Sequence, residues 1–234
     1  MARFWISILL LTILGELPSS LRAQEVTPLQ RPIQHNGVSN DLANVLAQLA
    51  RWIQMPMIAE LAQPLPTVQL AEGNHTAEYL LTEITHQAPG YTFAVEGLVI
   101  HFYEKRLVLA KLNFLNLTFQ QFEMPQNVSA LKYKLPGLAT ALLQTEKHRG
   151  GVVFTGFGDT DLAKDTLEAG TLTNVSGREV LLRAAAESPQ FFTIIVFSSN
   201  APKTKQEARQ ATVNWFWQSL RSNFRPIYIQ QVRD

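Results

Sequence analysis

The feature that most constrains the fold is the stretch of residues 67–105, because its central part recurs 100 residues later in the chain. Val68 and Leu70 alternate with polar residues, which is the two-residue period of a half-buried strand. The apolar positions that follow have the three- and four-residue spacing of one helix face, at Ala77, Leu80, Leu81, Ile84 and Ala88. The stretch therefore begins with a predicted strand and a predicted helix.

Both ends of this predicted helix carry local signals. Asn74 or Thr76 can act as the N-cap, because either side chain can accept a hydrogen bond from a backbone N–H of the first turn. A proline and a glycine at 89–90 stop the helix. Apolar residues then alternate with other residues on both sides of a Glu-Gly pair at 96–97, which predicts a β-hairpin.

The same features return at a constant offset of 100 residues. The cap, the apolar stripe, the helix-stopping proline and the aromatic start of the strand all recur, with Asn74, Leu81, Pro89 and Tyr91 matched by Asn174, Leu181, Pro189 and Phe191. Agreement of four features in order at one offset is not expected by chance. The sequence therefore predicts two related α/β units.

The N-terminus has the organisation of a secretory signal peptide. Arg3 supplies a short positive region, and residues 4–14 are almost wholly apolar. This run is shorter than the roughly 20 residues that a membrane-spanning helix needs. We therefore expect residues 1–23 to be removed after Ala23, leaving an exported protein, periplasmic or extracellular, without an integral membrane segment. An uncleaved anchor is the alternative.

Charge and cysteine content exclude several classes of function. Removal of the two arginines and one glutamate of residues 1–23 leaves 18 basic and 18 acidic residues. A neutral chain has no bulk charge with which to attract nucleic acid or an anionic membrane. The chain has no cysteine, which excludes disulfides and thiolate metal sites. The exported protein must therefore be stabilised by its core alone.

The predicted elements divide the rest of the chain. The sections are an extended leader (24–37), a first α/β unit (38–105), connecting strands (106–135), a second related unit (136–199), and a C-terminal helix and tail (200–234). The helix of the first unit has Ser39 or Asn40 as its predicted cap, and Pro136 occupies the first turn of a predicted helix in the second unit. The predicted fold class is α+β: two tandem small helix-on-sheet units, βαββαβ-like, plus a C-terminal helix.

The first unit also carries the pattern of a known family. A helix with Leu-Ala pairs at 42–43 and 49–50 is followed by a strand near Leu61, a strand at 68–70, a helix that begins at Thr76, and a closing hairpin. In these features residues 40–104 resemble the secretin and TonB N-terminal short domain, and residues 136–198 resemble it more weakly.

That family is a small βαββαβ sandwich of helices on sheet. It is found at the periplasmic end of outer-membrane secretins and of some TonB-dependent receptors, where it docks a partner or passes on a signal. The resemblance therefore implies a non-enzymatic protein-interaction module, accessory to an envelope secretion or TonB-type signalling assembly, with a protein partner. The family has no catalytic residues to carry over.

Neither the histidines nor the acidic residues form a convincing metal site in the sequence. His75 and His86 share a predicted helix face, but they are about 16 Å apart by helix rise, too far to bind one ion. Asp159, Asp161 and Asp165 match the start of a calcium-binding loop, which then lacks its glycine and its closing glutamate. We therefore predict no catalytic, cofactor-binding or metal-binding residue.

Trp215 and Phe216 are the predicted interaction residues. They belong to a Trp-Phe-Trp triplet within the predicted helix over 203–224. Three consecutive residues cover about 300° of a helix and cannot all face one core. We therefore expect Trp215 at an exposed edge, and core packing of the whole triplet is the alternative.

The second function class is an exported hydrolase with a cleft between the two units. Glu60 or Asp159 would then lie at the mouth of the cleft. A partly buried pair of converging carboxylates would favour the enzyme. An open sheet edge or an exposed aromatic strip would favour the interaction module.

Overall fold

The computed structural model describes residues 27–111, 113–143, 153–155, 165–197, 204, 212–220 and 227. The strands are β1 (Pro32–His35), β2 (Val38–Asp41), β3 (Met57–Ala62), β4 (Thr67–Leu70), β5 (Gly73–Thr76), β6 (Tyr91–Glu96), β7 (Val99–Glu104), β8 (Thr118–Met124), β9 (Val153–Thr155), β10 (Gly170–Ser176), β11 (Phe191–Phe197) and β12 (Thr212–Ser219). The helices are α1 (Leu42–Ile53), α2 (Ala77–Gln87), α3 (Lys105–Leu109), α4 (Val128–Leu143) and α5 (Gly177–Glu187), with short 3-10 helices at Pro28–Gln30 and Phe114–Asn116. The predicted α+β class is confirmed.

Several predictions fall outside the described residues. They are the signal peptide at 1–23, its cleavage site, and the acidic positions Asp159 and Asp161.

A six-stranded mixed sheet forms the centre of the protein, in the order β6-β7-β3-β11-β12-β9. The first three strands are an antiparallel hairpin, β6 and β7, followed by the parallel strand β3. The last three repeat this arrangement, with the hairpin of β11 and β12 followed by the parallel strand β9. β3 and β11 pair in parallel and join the two halves.

Each half also carries a two-stranded antiparallel ribbon. In the first half β2 pairs with β4, and in the second half β8 pairs with β10. The first half has a further antiparallel ribbon, in which β1 pairs with β5. β2 leads into helix α1, and β8 leads into helix α4. When β4 and β5 are counted together as the counterpart of β10, the order strand, helix, strand, strand, helix, hairpin occurs twice, as the predicted repeat requires. β8 is the first strand of the second copy, so this copy begins before residue 136.

The helices begin at side-chain caps. Of the two predicted candidates for α2, Thr76 is the N-cap and accepts a hydrogen bond from the backbone N–H of Tyr79. Ser176 has the same place before α5, where it forms a capping box with Glu179. Asp41 caps α1, one residue after the predicted caps, because the preceding residues pair with β4 as strand β2.

Two predicted helices differ from the structure. Pro136 lies inside α4 and not in its first turn, because this helix begins at Val128. The predicted C-terminal helix is wrong, since its central part is strand β12, which pairs with β11 from Val213 to Ser219. The apolar residues of β12 are buried on both faces of the sheet, and a strand of this kind can imitate a helical stripe.

The central sheet is covered on both faces. One core contains α1, α2 and one set of alternate residues of β3, including Met57 and Leu61. The other core contains α4, α5 and the opposite set, including Ile58. Every residue of β3 and of β11 is buried, because these strands have helices on both sides.

The two halves contribute to each other's core. Phe192 and Ile194 of β11, in the second half, pack beneath α1 and α2 of the first half. In return, Ile58 and Val99 of the first half pack beneath α4 and α5. The strands of the second half run opposite to their counterparts in the first, and the helices of the two halves lie on opposite faces.

Candidate functional site

A buried carboxylate lies where the two halves meet. Glu60 points from β3 towards α5 and is 0% exposed. Arg178, in the first turn of α5, donates two hydrogen bonds to it, from Nε to Oε1 at 2.6 Å and from Nη2 to Oε2 at 2.8 Å. This bidentate arrangement is the strongest pairing geometry for a guanidinium and a carboxylate.

Three further side chains complete the group that we call the Glu60 cluster. His101, on the neighbouring strand β7, has its Nε2 2.8 Å from Oε1 of Glu60. Nδ2 of Asn113 donates to Oε2 of Glu60 at 3.5 Å, and the guanidinium of Arg178 also donates to Asn116. Both asparagines come from the segment that follows α3, so three parts of the chain meet at one carboxylate.

The charge of Glu60 is fixed by its partners. Burial by itself would raise the pKa of this carboxyl, but hydrogen bonds from Arg178 and His101, together with their charges, hold the pKa at about 2. Glu60 is therefore ionised at neutral pH and is a weak base. Its contribution to stability is present above about pH 4.5 and is lost as the pH falls towards the folded-state pKa.

This geometry favours a structural role for the Glu60 cluster. Both carboxylate oxygens are occupied, and His101 is itself buried, although its Nδ1 lies 3.7 Å from Glu96 at the surface. Glu60 and His101 belong to the first half and Arg178 to the second, so the cluster ties the halves together. The prediction that Glu60 lies at the mouth of a cleft is wrong, because no substrate can reach it.

A second polar group joins β1 to β5. Nε2 of His35 lies 3.1 Å from Nδ1 of His75, and the backbone N–H of Gly37 donates to Nδ1 of His35 at 3.2 Å. Since Nδ1 of His35 accepts, its hydrogen must be on Nε2 and is donated to His75. The arrangement requires both imidazoles to be neutral.

These imidazoles belong to a row of four rings. His35 stacks on Trp52 at a centroid distance of 4.9 Å, and His75 stacks on Tyr79 at 4.7 Å. The order of the rings is Trp52, His35, His75 and Tyr79. His35 is buried and Tyr79, at one end of the row, is exposed. His75 lies in β5 and precedes α2, so the prediction that His75 and His86 share a helix face is wrong.

A half-open groove of about 470 Å³ lies next to this row, between β4 and α2. We call it the β4 groove, and its lining residues are Gln69, Leu70, Ala71, His75, Tyr79, Leu80, Glu83 and Gln87. Tyr79, Glu83 and Gln87 are spaced four residues apart and so form one face of α2. Nothing in the periodicity of the sequence had marked this face, because its residues are mostly polar.

One side chain bridges the β4 groove. Oε1 of Gln87 accepts the backbone N–H of Gln69 at 2.9 Å, and Nε2 of Gln87 donates to the carbonyl oxygen of Gln69 at 2.7 Å. Nε2 also donates to Glu83 at 2.9 Å. The backbone groups of Gln69 thus point away from β2 and are held by one primary amide.

The structure buries both predicted interaction residues. Trp215 is 2% exposed and Phe216 is 6% exposed, because β12 lies between β11 and β9 within the sheet. Trp215 packs in the core beneath α4 and α5, and its Nε1 donates to Oγ1 of Thr193 at 2.8 Å. The prediction of an exposed edge is wrong, since it assumed a helix in which consecutive residues point in three directions.

Comparison of the chain with models of protein families, with curated proteins and with solved structures finds no match. Within the part of the chain that the structure describes, no three histidine or acidic side chains come together in a way that could hold a metal ion. No helix in the described ranges has the length and apolar character that crossing a membrane requires.

Protonation of His35 is expected to loosen β1 from β5 below about pH 6.5. Burial, reinforced by His75, lowers the pKa of His35, and Glu72 opposes this effect. The unfolded chain therefore binds this proton more readily than the folded one, so the stabilising contribution is complete above the unfolded pKa and is lost as the pH falls through the folded pKa. Hydrogen exchange of the β1 amides, corrected for intrinsic rates, should be faster at about pH 5.5 than at about pH 7.5.

Two variants make this measurement specific. His35→Phe keeps a ring on Trp52 and should remove the extra exchange at low pH. His86→Gln replaces an exposed histidine of α2 and should leave the exchange unchanged. If exchange of the β1 amides depends equally on pH in the wild type and in His35→Phe, protonation of His35 is not what loosens β1.

Proposed function

We propose that the chain is an exported, non-enzymatic protein-interaction module of the secretin and TonB N-terminal short domain type. It would serve an envelope secretion or TonB-type signalling assembly. The observation that carries the proposal is the order strand, helix, strand, strand, helix, strand, which occurs in both halves when β4 and β5 are counted together as the counterpart of β10. The resemblance of residues 40–104 implies this order, and in the first half α1 and α2 share one core with β4 and the central sheet.

The polar groups of the interior support binding rather than catalysis. General acid or base chemistry needs a titratable group within hydrogen-bonding distance of a substrate. The most perturbed carboxyl of the described residues, Glu60, is enclosed and fully bonded. The β4 groove, by contrast, is open and places backbone and side-chain hydrogen-bonding groups where another chain can meet them.

The proposal predicts that the mature chain captures a defined component of the cell envelope. The experiment immobilises residues 24–234, incubates them with detergent-solubilised envelope extract, and identifies the retained proteins by mass spectrometry. A secretion or signalling component should be retained, and it should bind again when purified. The heat-denatured chain is the control, and N-terminal sequencing of the exported protein should begin at Gln24. Capture of nothing beyond the control, or an N-terminus at Met1, would contradict the proposal.

A further inference from the structure

We infer that the β4 groove binds an extended segment of a partner protein that carries a lysine or an arginine, and that this segment adds as a strand along the outer edge of β4. The inference rests on the proposed function, since it names the surface and the partner chemistry that an interaction module of this kind would use. Addition of a strand to a sheet edge is one of the general modes of peptide recognition.

The backbone of Gln69 is already bonded in the pattern that an added strand would form. In a strand-to-strand pair, a residue of one chain offers an acceptor to the N–H and a donor to the C=O of its neighbour. The primary amide of Gln87 offers the same two groups, at 2.9 Å and 2.7 Å from the backbone of Gln69. Gln87 therefore occupies the place that one residue of an added strand would take.

Gln87 can be displaced from this position. It is the last residue of α2 and its side chain is exposed, so its amide can return to water without loss of buried contacts. Holding a long glutamine side chain in one rotamer also costs conformational entropy, which displacement of Gln87 would release. Proteins commonly cover sheet edges to prevent unwanted pairing. We interpret Gln87 as a removable cover of this kind.

The second repeat provides an internal comparison. At the position equivalent to Gln87, α5 has Glu187, which accepts the backbone N–H of Glu168 at 2.7 Å and the Nε of Arg183 at 2.8 Å. A carboxylate can accept hydrogen bonds but cannot donate to a carbonyl oxygen. The paired acceptor and donor are therefore present in the first half and not in its counterpart, which assigns the binding edge to β4.

The wall of the β4 groove that α2 forms carries a negative charge. Glu83 lies on the wall formed by α2, and its carboxylate accepts a hydrogen bond from Gln87. The lining residues include no lysine or arginine. When a strand displaces Gln87, Glu83 loses that hydrogen bond, and a lysine or arginine of the segment can replace it. Tyr79, with 52% of its surface exposed, adds an aromatic wall to the same face.

The test uses the mature chain labelled with ¹⁵N and two probe peptides with blocked ends, Thr-Val-Lys-Val-Thr and Thr-Val-Glu-Val-Thr. The lysine peptide is expected to shift the amide signals of Gln69, Ala71 and the exposed face of α2, with an affinity about ten-fold higher than that of the glutamate peptide. N-methylation of the central residues should abolish binding, because it removes the backbone donors. Shifts outside the groove, or equal affinity for the two peptides, would overturn the inference.

Substitutions of Gln87 and Glu83 test the hydrogen bonding and the charge of the groove separately. Gln87→Ala should raise the affinity for the lysine peptide several-fold, because it removes the competing amide. Glu83→Gln keeps the hydrogen bond to Gln87 and removes the charge, so it should bring the lysine peptide down to the affinity of the glutamate peptide. Glu78→Gln, one turn away and outside the lining set, is the matched control. Unchanged or weaker binding by Gln87→Ala would overturn the role of Gln87.

Failure of the inference can be distinguished from failure of the proposed function. If the envelope partner is captured, and neither the lysine peptide nor Gln87→Ala changes its affinity, the module binds elsewhere and the β4 groove is excluded. If the lysine peptide binds as described and no envelope component is captured, the β4 groove is a peptide-binding site and the proposed function is wrong. Thermal melting of each variant should agree with that of the wild type, since all the substituted side chains are partly or fully exposed.

Discussion

Replacement of Arg178 by methionine is expected to destabilise the protein by roughly 3–5 kcal/mol, because it leaves the carboxylate of Glu60 charged, buried and without its main partner. The pH dependence should also change sign. In the wild type the pKa of Glu60 is held at about 2, so acid weakens the protein. In the variant burial raises the pKa of Glu60, so mild acid should recover part of the lost stability.

Urea denaturation at neutral pH measures the effect, and the same helix supplies a matched control. Arg183 of α5 is partly exposed and pairs with Glu187 at 2.8 Å. Arg183→Met should cost less than about 1 kcal/mol, the usual range for surface ion pairs. The double variant Glu60→Gln/Arg178→Met should recover much of the loss, because no buried charge is then left unpaired. Equal costs for Arg178→Met and Arg183→Met would show that Glu60 does not depend on Arg178.

Truncation of Trp215 to alanine is expected to cost about 3–5 kcal/mol, the range for removal of a large buried aromatic side chain. The indole stacks on Trp217 at a centroid distance of 4.9 Å and contacts Phe114 at 5.7 Å. It also donates a hydrogen bond to Thr193, whose hydroxyl would lose that partner. The substitution therefore removes both a buried hydrogen bond and packing in the core beneath α4 and α5.

The control for this prediction is an exposed aromatic ring. Tyr133 of α4 has 73% of its surface exposed, and Tyr133→Ala should change the free energy of unfolding by no more than about 0.5 kcal/mol. Melting temperature and partner capture should be measured on the same samples. A stable Trp215→Ala variant that fails to capture the partner would contradict the buried assignment and restore a surface role for Trp215.

Local signals explain which elements could be predicted from the sequence. The caps Thr76 and Ser176, the stopping prolines and the hairpin turn each act within a few residues, so the helices and strands near them are specified by neighbouring sequence. β12 could not be recognised in this way, because the spacing of its apolar residues fits a helix. The repeat itself contained the missing information, since β7 follows β6 as a hairpin partner, and β11 at the same offset requires one as well.

The Glu60 cluster depends on contacts that no local pattern reveals. Glu60 and Arg178 are 118 residues apart, and the counterpart of Arg178 in the first repeat is the exposed Glu78. One signal was available: Glu60 is the only charged residue of β3, and a charge in an apolar strand needs a partner. The β4 groove gave no signal, because its key contact joins two glutamines, residue types common on any surface.

The two halves have opposite strand directions and carry their helices on opposite faces of the sheet. This relation determines how further copies of the unit could be added to the chain. A two-fold axis returns to its starting point after two copies, and so limits an assembly to a pair. Here the second half is turned over and advanced along the sheet, which is a screw operation and does not close. A third unit added by the same operation would lie beyond β9, with its helices on the face that carries α1 and α2. Duplication can therefore lengthen the central sheet one unit at a time. Each new unit would join the sheet through a parallel pair of strands like that of β3 and β11.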